Sequence, residues 1–456
     1  MRTWRLAGIV LAAFVLVTSA CAGQGQESAT NTSPVTGAFD WKRFSGQEIT
    51  LLLNEHPWTD GVQPLIPEFE KLTGIKVNVQ TFSEDLYFDK MEQALRSSSP
   101  VADVYFLPMD STGYTQYQAG LIAPLSPYID NPSLTASDYD ISDFPEGFIS
   151  VVKYPPGAAE TQIYGIPITF ETYILFYNKE LVDRYLGGQV PQTMSELVAD
   201  AQKITDEANG EVYGAVMRGI RSDTIMDTLT GVVFDSWGSD PTPLPYNIWF
   251  DGAWSKPRLT DPRIVEGLSN YAALVAAGPP NALSLDWPDA TTLFQQGKAA
   301  FFIDASLFAP AMEDPSQSQI AGKVGYAMLP STNQGAMTGH WMWGLGIPAN
   351  SEHKEAAWYF IQWATNKENT AKIGVHTWGA PRTSAFSDPV YTDALVPEYV
   401  DAVSTAMATS RPTAVMKEGW KEGALVIVNA MQQMAQGKNP QEVMAAAQAQ
   451  FEQLFG

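Results

Sequence analysis

Past residue 45 the chain alternates short apolar runs with amphipathic ones. Glu48–Leu53 (EITLLL) reads as a buried strand, and Pro64–Leu72 as a helix with Leu65, Phe69 and Leu72 on one face. After the Thr73-Gly74 stop, Ile75, Val77 and Val79 alternate with Lys76, Asn78 and Gln80 in a strand Ile75–Phe82. A helix over Asp85–Arg96 and the apolar strand Asp103–Leu107 (DVYFL) complete a strand–helix–strand–helix–strand series. That series predicts parallel pairing and right-handed crossovers in an α/β lobe. Ligands of such sheets bind beyond the carboxyl ends of the strands, which here are Asn54–Trp58 and Pro108–Asp110.

The alternation continues with Ile163–Thr169, then a second apolar run, Thr172–Tyr177. Thr193-Met-Ser-Glu196 is a capping box opening a helix that carries Leu197, Ala201 and Ile204. Asp235–Pro262, rich in Pro, Trp and Gly, reads as long loops over a cleft. Asp289–Gln296 is a short helix running into the strand Ala299–Ile303. Gly325–Leu329 and Gly344–Ile347 are further strands, Glu352–Ala364 an amphipathic helix, and Gln441–Phe455 a last helix stacking Val443, Ala447, Phe451 and Leu454.

The N-terminus has another character. Arg2 and Arg5 precede an apolar run, Leu6–Val17, too short to span a bilayer and followed by Thr18, Ser19, Ala20 and Cys21. A basic flank, a short apolar stretch and small residues predict a secretory signal over 1–20. Cys21 sits where bacterial lipoprotein signals place the Cys that becomes diacylated. This resembles a lipobox, except that Thr18 stands where Leu is usual; plain signal cleavage in Ala20-Cys21-Ala22 is the alternative. Residues 21–45 then form a lipidated N-terminus and a flexible tether of Gly, Gln, Ser, Thr and Asn.

Composition narrows the chemistry. Of 456 residues 45% are hydrophobic and 17% charged, a globular balance. A net charge of −23 disfavours nucleic acid, anionic membrane surface and highly phosphorylated substrates. One Cys excludes an intramolecular disulfide framework, and four scattered His argue against a multi-His metal site. With 13 Trp, 18 Tyr and 21 Phe, what remains is an aromatic-rich binding protein or a carbohydrate-active enzyme.

Ordered along the chain are LIPEFEKLTGIKVNV (65–79), DVYFLPMD (103–110), IYGIPITFETYILFYNKELV (163–182), PQTMSELVADAQKIT (191–205), FQQGKAAFFID (294–304), GYAMLP (325–330) and WMWGLGIPANSEHKEAAWYFIQWAT (341–365). Together they resemble the extracellular solute-binding proteins of ATP-driven sugar importers, the family of maltose- and trehalose-binding proteins. The resemblance implies a two-lobed α/β fold of the periplasmic-binding-protein type, a ligand cleft between the lobes, and hinge closure. It puts three crossings near Thr169, Ser331–Gly335 and Asn366. Lobe one is then 46–169 plus 334–366, and lobe two 170–333 plus 367–456. It further implies a membrane-anchored, extracytoplasmic monomer that hands a sugar, oligosaccharide or polyol to permease subunits, with no cofactor or metal.

A sugar or polyol offers hydroxyls and a C–H face, so its site needs carboxylates, amides or Arg beside stacking aromatics. Glu171, just after the Pro167 strand, matches a family position that contacts hydroxyls; a hinge carboxylate is the plainer reading. Asp110 matches another sugar-binding carboxylate, with helix N-capping as its plainer role. His56 and Trp58 lie beyond the first strand. Trp341 and Trp343 alternate in one strand and so point to opposite faces; the family pattern sends Trp341 to the cleft and Trp343 to the core. Trp237 and Trp287 are loop residues of lobe two suited to stacking, and Arg382 falls where some sugar binders place a hydrogen-bonding Arg. Trp249, Trp254, Trp358 and Trp363 read as packing residues.

Two rivals share much of this pattern. A secreted glycosidase needs two carboxylates about 5–9.5 Å apart, and Asp110, Glu171 or Asp304 are available for such a pair. No HExxH, GxSxG, Walker A or GxGxxG motif accompanies them. A sensor presenting its sugar to a membrane receptor would share the fold.

Overall fold

The computed structural model describes residues 36–237, 248–250, 256–330 and 337–456. The signal region, Cys21, Trp254 and the crossing placed at Ser331–Gly335 lie outside the described residues. In chain order the strands of the two main sheets are β1 (Glu48–Asn54), β2 (Lys76–Phe82), β3 (Val104–Pro108), β4 (Ile166–Pro167), β5 (Glu171–Asn178), β6 (Tyr213–Val216), β7 (Ala299–Ala305), β8 (Val324–Ala327), β9 (Gly339–Trp341), β10 (Trp343–Gly346) and β11 (Arg411–Pro412).

The first sheet runs β2-β1-β3-β10-β4, with β1 parallel to β2 and β3, and β10 antiparallel to β3 and β4. The helices Ile66–Thr73 and Glu84–Arg96 connect the parallel strands, as the hydrophobic pattern requires. The second sheet runs β11-β9-β5-β7-β6, with β8 paired to the far end of β5. Helix Met194–Ala208 covers it, opened by the Thr193–Glu196 capping box and burying Leu197, Ala201 and Ile204. Each large apolar side chain so buried contributes roughly 1.5–3 kcal/mol. The fold is thus a pair of α/β lobes. Among the described residues no helix is long and apolar enough to cross a membrane.

The chain passes from the first sheet to the second between Pro167 and Glu171. It passes back through a single residue, Met342, because β9 belongs to the second sheet and β10 to the first. Trp341 and Trp343 therefore do not share a strand, and alternation does not hold them apart. The kink at Met342 brings their rings edge to face, with centroids 4.7 Å apart. Trp343 is buried against Phe106 in the first lobe, a packing residue, as are fully buried Trp249 and Trp358 and nearly buried Trp363.

The segment after Asn366 also departs from the expected division. Helix Lys367–Thr377 packs on the helix Pro57–Val62 of the first lobe, and Lys372 reaches Glu68 at 3.9 Å. Arg382 fixes the next stretch of chain. Its guanidinium is fully buried and donates to the carbonyls of Thr365 (2.6 Å), Asp140 (2.8 Å) and Tyr139 (2.9 Å), with Asp143 as counter-ion at 3.3 Å. Those groups take up the donors proposed for a sugar. Arg382 is a clamp holding residues 367–392 on lobe one. Helix Pro397–Thr409 instead packs on the second sheet, with Lys179 reaching Glu398 at 2.9 Å. The contacts put the third crossing between Thr392 and Pro397.

Removing the clamp strands the buried Thr365 and Tyr139 carbonyls and the Asp143 carboxylate, the situation in which a broken buried pair costs roughly 3–5 kcal/mol. Arg382→Ala should lower the urea midpoint accordingly. Ligand affinity of the protein that remains folded should stay within about twofold of wild type.

Candidate functional site

β1 ends in Asn54, whose side chain is buried with Oδ1 lacking a hydrogen-bond partner among the described residues. The chain turns just beyond it because His56 caps the helix Pro57–Val62. The His56 backbone is extended, its Nδ1 accepts the Trp58 amide at 3.0 Å, and Pro57 occupies the first turn, where no N–H is needed. With Nδ1 an acceptor, the proton of the neutral ring sits on Nε2. That nitrogen lies 3.7 Å from Oε1 of Glu171, beyond hydrogen-bond length. Both atoms are buried and have no hydrogen-bond partner among the described residues.

Glu171 opens β5 directly opposite Trp341 of β9. Paired residues of antiparallel strands share a face, so the half-buried indole stands beside the carboxylate. The second lobe adds Asp227, in the first turn of helix Met226–Trp237. That helix lies close on β9 because two glycines meet there. A Cβ on Gly339 would come within 3.2 Å of Gly231 Cα and 2.5 Å of a Thr413 methyl. The close approach lets the Thr413 hydroxyl donate to Asp227 at 2.7 Å. Burial, then the charges of Asp110 and Glu171, push the Asp227 carboxyl up to about 7 against the Thr413 bond.

Asp110 follows β3 and caps the helix Ser111–Gln118, accepting the Thr112 amide at 2.7 Å. Its plainer role is thus realised, yet it is not its only one. Burial raises its pKa and the charge of Asp223, from the second lobe, raises it further. Carboxylates of both lobes therefore converge beside Glu171. Arg218, just past β6, forks onto Asp304 of β7, with Nε to Oδ2 at 2.8 Å, and donates to the Thr224 carbonyl at 2.9 Å. Burial opposes its charge, but Asp304 outweighs burial and the pKa is raised. Tyr173 is buried beside these groups, its phenol pushed well up by burial and by the charge of Asp227.

The structure thus brings together Glu171, His56, Trp341 and Asp110 from the sequence-based set. Trp287 stands at the edge. It is half-buried at the start of helix Trp287–Gln295, stacked on Phe308 at 5.5 Å, and next to Asp286, which accepts the Thr224 hydroxyl at 3.1 Å. Two aromatics belong elsewhere. Trp58 is 2% exposed, its ring edge on Phe106, as core of the first lobe. Trp237 is not in a loop; it ends a buried helix, fully enclosed in the second-lobe core, with the Arg263 and Arg258 guanidinium groups 3.4 and 4.4 Å from its ring centroid. An indole buried on all sides has no face for a ligand.

Sequence reasoning missed Asp227 and Arg218 and treated Asp304 only as an enzyme carboxylate. Signals for them exist. Arg218 lies at the carboxyl end of a second-lobe strand, where ligands of α/β sheets gather, and Asp227 is a charge opening a helix that carries no other until Asp235. Among the described residues no group of His, Cys, Asp and Glu is arranged to hold a metal ion. Chemically, the cluster offers acceptors in Glu171, Asp110 and Asp227, a donor in His56 and an indole. Each hydroxyl of a ligand both gives and takes a hydrogen bond, and bonds to carboxylates are the stronger, charge-assisted kind.

The family model of bacterial extracellular solute-binding proteins matches residues 56–371. The chain belongs to that family. The erythritol/L-threitol-binding protein of Mycolicibacterium smegmatis is 31% identical over 387 residues, 82% of this chain and 77% of that one. The mannitol-binding protein of Pseudomonas aeruginosa is 31% identical over 212 residues, 45% of each chain. A solved solute-binding protein of Agrobacterium radiobacter K84 in complex with ribitol superimposes with a TM-score of 0.71 at 24% identity, over 90% of this chain and 99% of that one. One from Thermotoga lettingae, bound with alpha-D-tagatose, reaches 0.74 at 21% identity, over 90% and 100%. At those identities the structures establish the two-lobed fold. As an extracellular solute-binding protein the chain has the substrate-binding role of a transporter and acts outside the cytoplasm, and its family is one of binding proteins.

The carboxylate cluster has a pH signature. Folded Asp227 holds its proton up to about pH 7, whereas an unfolded Asp loses it near 3.9. The folded state binds more protons in between, so this group makes stability fall as pH rises through that window. Asp227→Asn keeps the acceptor for Thr413 and removes the charge. The unliganded variant should gain melting temperature over wild type at pH 8, by roughly 1 °C per kcal/mol relieved in a fold of this size, and gain little at pH 4.5. A gain independent of pH would remove Asp227 from the cluster's electrostatics.

Proposed function

We propose that this solute-binding protein captures a polyol or small sugar between its lobes and delivers it to an ABC permease, tethered to the outer face of the cytoplasmic membrane through diacylated Cys21. One observation carries the ligand class. His56 Nε2 and Glu171 Oε1 are buried, unpartnered among the described residues and 3.7 Å apart. A single hydroxyl at roughly 2.8 Å from each would accept from the imidazole and donate to the carboxylate. Asn54, Asp110 and Asp227 supply further acceptors around that point, and Trp341 a flank. The polyol named for the relative at 31% identity favours an acyclic ligand.

The glycosidase reading loses one of its carboxylates: Asp304 is engaged by Arg218 and buried at 0% exposure, unavailable as a general acid or base. The reading as a binding protein predicts that the tightest ligand is returned intact after incubation. A sensor role would differ only in the membrane partner.

Erythritol, L-threitol, ribitol, mannitol and tagatose should be compared by thermal shift, since a ligand bound only by the folded state raises its melting temperature. Glu171→Gln preserves shape but removes a charge-assisted acceptor worth roughly 1.5–3 kcal/mol, so the Kd of the best ligand should rise about ten- to a hundredfold. Unliganded stability should not fall, because the change removes a buried charge that faces other carboxylates. Wild-type affinity in the variant would exclude Glu171 from the site; stability lost in step with affinity would make it a hinge residue.

For the anchor, Cys21→Ser expressed in a lipid-processing host should move the protein from the membrane to the soluble fraction. Two acyl chains anchor stably where one is marginal, so wild type should partition almost wholly with membranes. Equal retention of both forms rules the lipid anchor out.

A further inference from the structure

A pocket of about 500 Å³ lies behind the crossing strands, within the range of sites that enclose small molecules. His340 lines it. Successive residues of a strand point to opposite faces, so the pocket opens on the side of the sheet away from Trp341 and Glu171. One wall is Phe148, of the helix Glu146–Ser150, with Phe386, of the segment clamped to the first lobe. The facing wall is Ser404, Met407 and Ala408, one stripe of the helix Pro397–Thr409 that packs on the second sheet.

His340 is the buried polar side chain of this pocket. Its imidazole is 2% exposed, Nδ1 lies 2.8 Å from the Ser410 hydroxyl, and Nε2 has no hydrogen-bond partner among the described residues. Its ring packs on Phe148 at 5.0 Å. Burial pushes its pKa down to about 3, so the ring is neutral at working pH. No Lys, Arg, Asp or Glu stands among the described lining residues. A charged ligand would leave its hydration behind with no counter-charge to meet it.

We propose that this pocket is a second ligand site, for an uncharged amphipathic molecule whose aromatic or branched apolar body lies between Phe148, Phe386 and Met407 and whose hydroxyl joins the Ser410–His340 pair. The walls come from opposite sides of the crossings, so their separation changes with the angle between the lobes. Occupancy of this site and of the cleft are then reciprocally coupled.

The test uses 2-naphthol as the probe, titrated into the full chain at pH 7 by calorimetry. A Kd of about 1 mM or tighter is expected for a molecule of its size. Ala408→Trp fills the mouth from one wall and Thr383→Trp from the other; both positions are exposed. Each should weaken naphthol binding at least tenfold with an unchanged circular dichroism spectrum, and either alone suffices if the other fails to fold. Glu171→Gln, on the opposite face, should leave the naphthol Kd within about twofold. None of these arms needs a known cleft ligand, so they stand apart from the polyol assignment. A saturating polyol that binds the cleft should shift the naphthol Kd at least threefold without displacing it. Absence of saturable naphthol binding, strict competition with the polyol, an unchanged Kd in both Trp variants, or a Kd indifferent to the polyol overturns the proposal.

Discussion

The site depends on two crossings that run side by side as one hydrogen-bonded ribbon. In the first sheet Pro167 of β4 pairs with Gly344 of β10; in the second Glu171 of β5 pairs with Trp341 of β9. Between them the Ile168 amide donates to the Trp343 carbonyl at 2.9 Å, and the Trp343 amide to the Thr169 hydroxyl at 3.2 Å. The two chains therefore cross in register and cannot slide past each other. A hinge needs a few residues able to absorb a change in φ and ψ; here residues 168–170 and 342 fall between the paired strands of the two sheets. Because Glu171 is the first paired residue after the crossing, its carboxylate stays at the boundary of the lobes whatever angle they take.

Electrostatics decides what that boundary can hold. Asp304 is neutralised by Arg218, and the pair is a structural brace of the second lobe. Asp110 and Asp227 have no such cation: the charges acting on each of them are other carboxylates, apart from Arg218 at Asp227. Such a site repels anionic ligands and leaves acceptors looking for hydrogens. A neutral chain of hydroxyls supplies these without adding charge, and can accept a hydrogen bond from His56 Nε2 in return. An acidic chain with a net charge of −23 is thus consistent with a neutral solute, and the excess of carboxylates at the cleft is local as well as global.

Much of the fold was legible because its signals are local. Period-two alternation marked β2, apolar runs marked β1, β3, β5 and β7, and the Thr193–Glu196 box marked a helix start that the structure reproduces. Glu171 and Asp110 entered the candidate set because strand ends and a recognisable Gly-Ile-Pro tract flag them, and the structure places both where the lobes meet. What failed was assignment of segments to lobes. The buried face of helix Lys367–Thr377 mixes Ala371 and Ile373 with Asn369, Thr370 and Thr377, and nothing in that pattern says which lobe it meets. A one-residue break at Met342 likewise leaves no trace in a run as apolar as Trp341–Ile347. Arg382 was a candidate because it falls where some sugar binders place a hydrogen-bonding Arg; its carbonyl partners come from residues some 17 to 243 positions away.

The tryptophans make the same point in energetic terms. An indole removes a large apolar area from water, so a large lobe draws it inward unless something local prevents that. Trp58 and Trp237 sit on helices whose neighbours are buried, and they follow those neighbours into the core. Trp341 is held out because its strand is three residues long and ends at the crossing, where the second sheet stops and the first has not begun. Trp287 is held out because Asp286 caps its helix and Pro288 fixes the first turn, leaving the ring at an exposed helix start rather than on an inner face. An element end alone does not expose an aromatic: Trp58 begins a helix and Trp237 ends one, yet both are buried. Trp341 and Trp287 stay half-buried because the sheet breaks beside the first and the second stacks on Phe308 at a helix start.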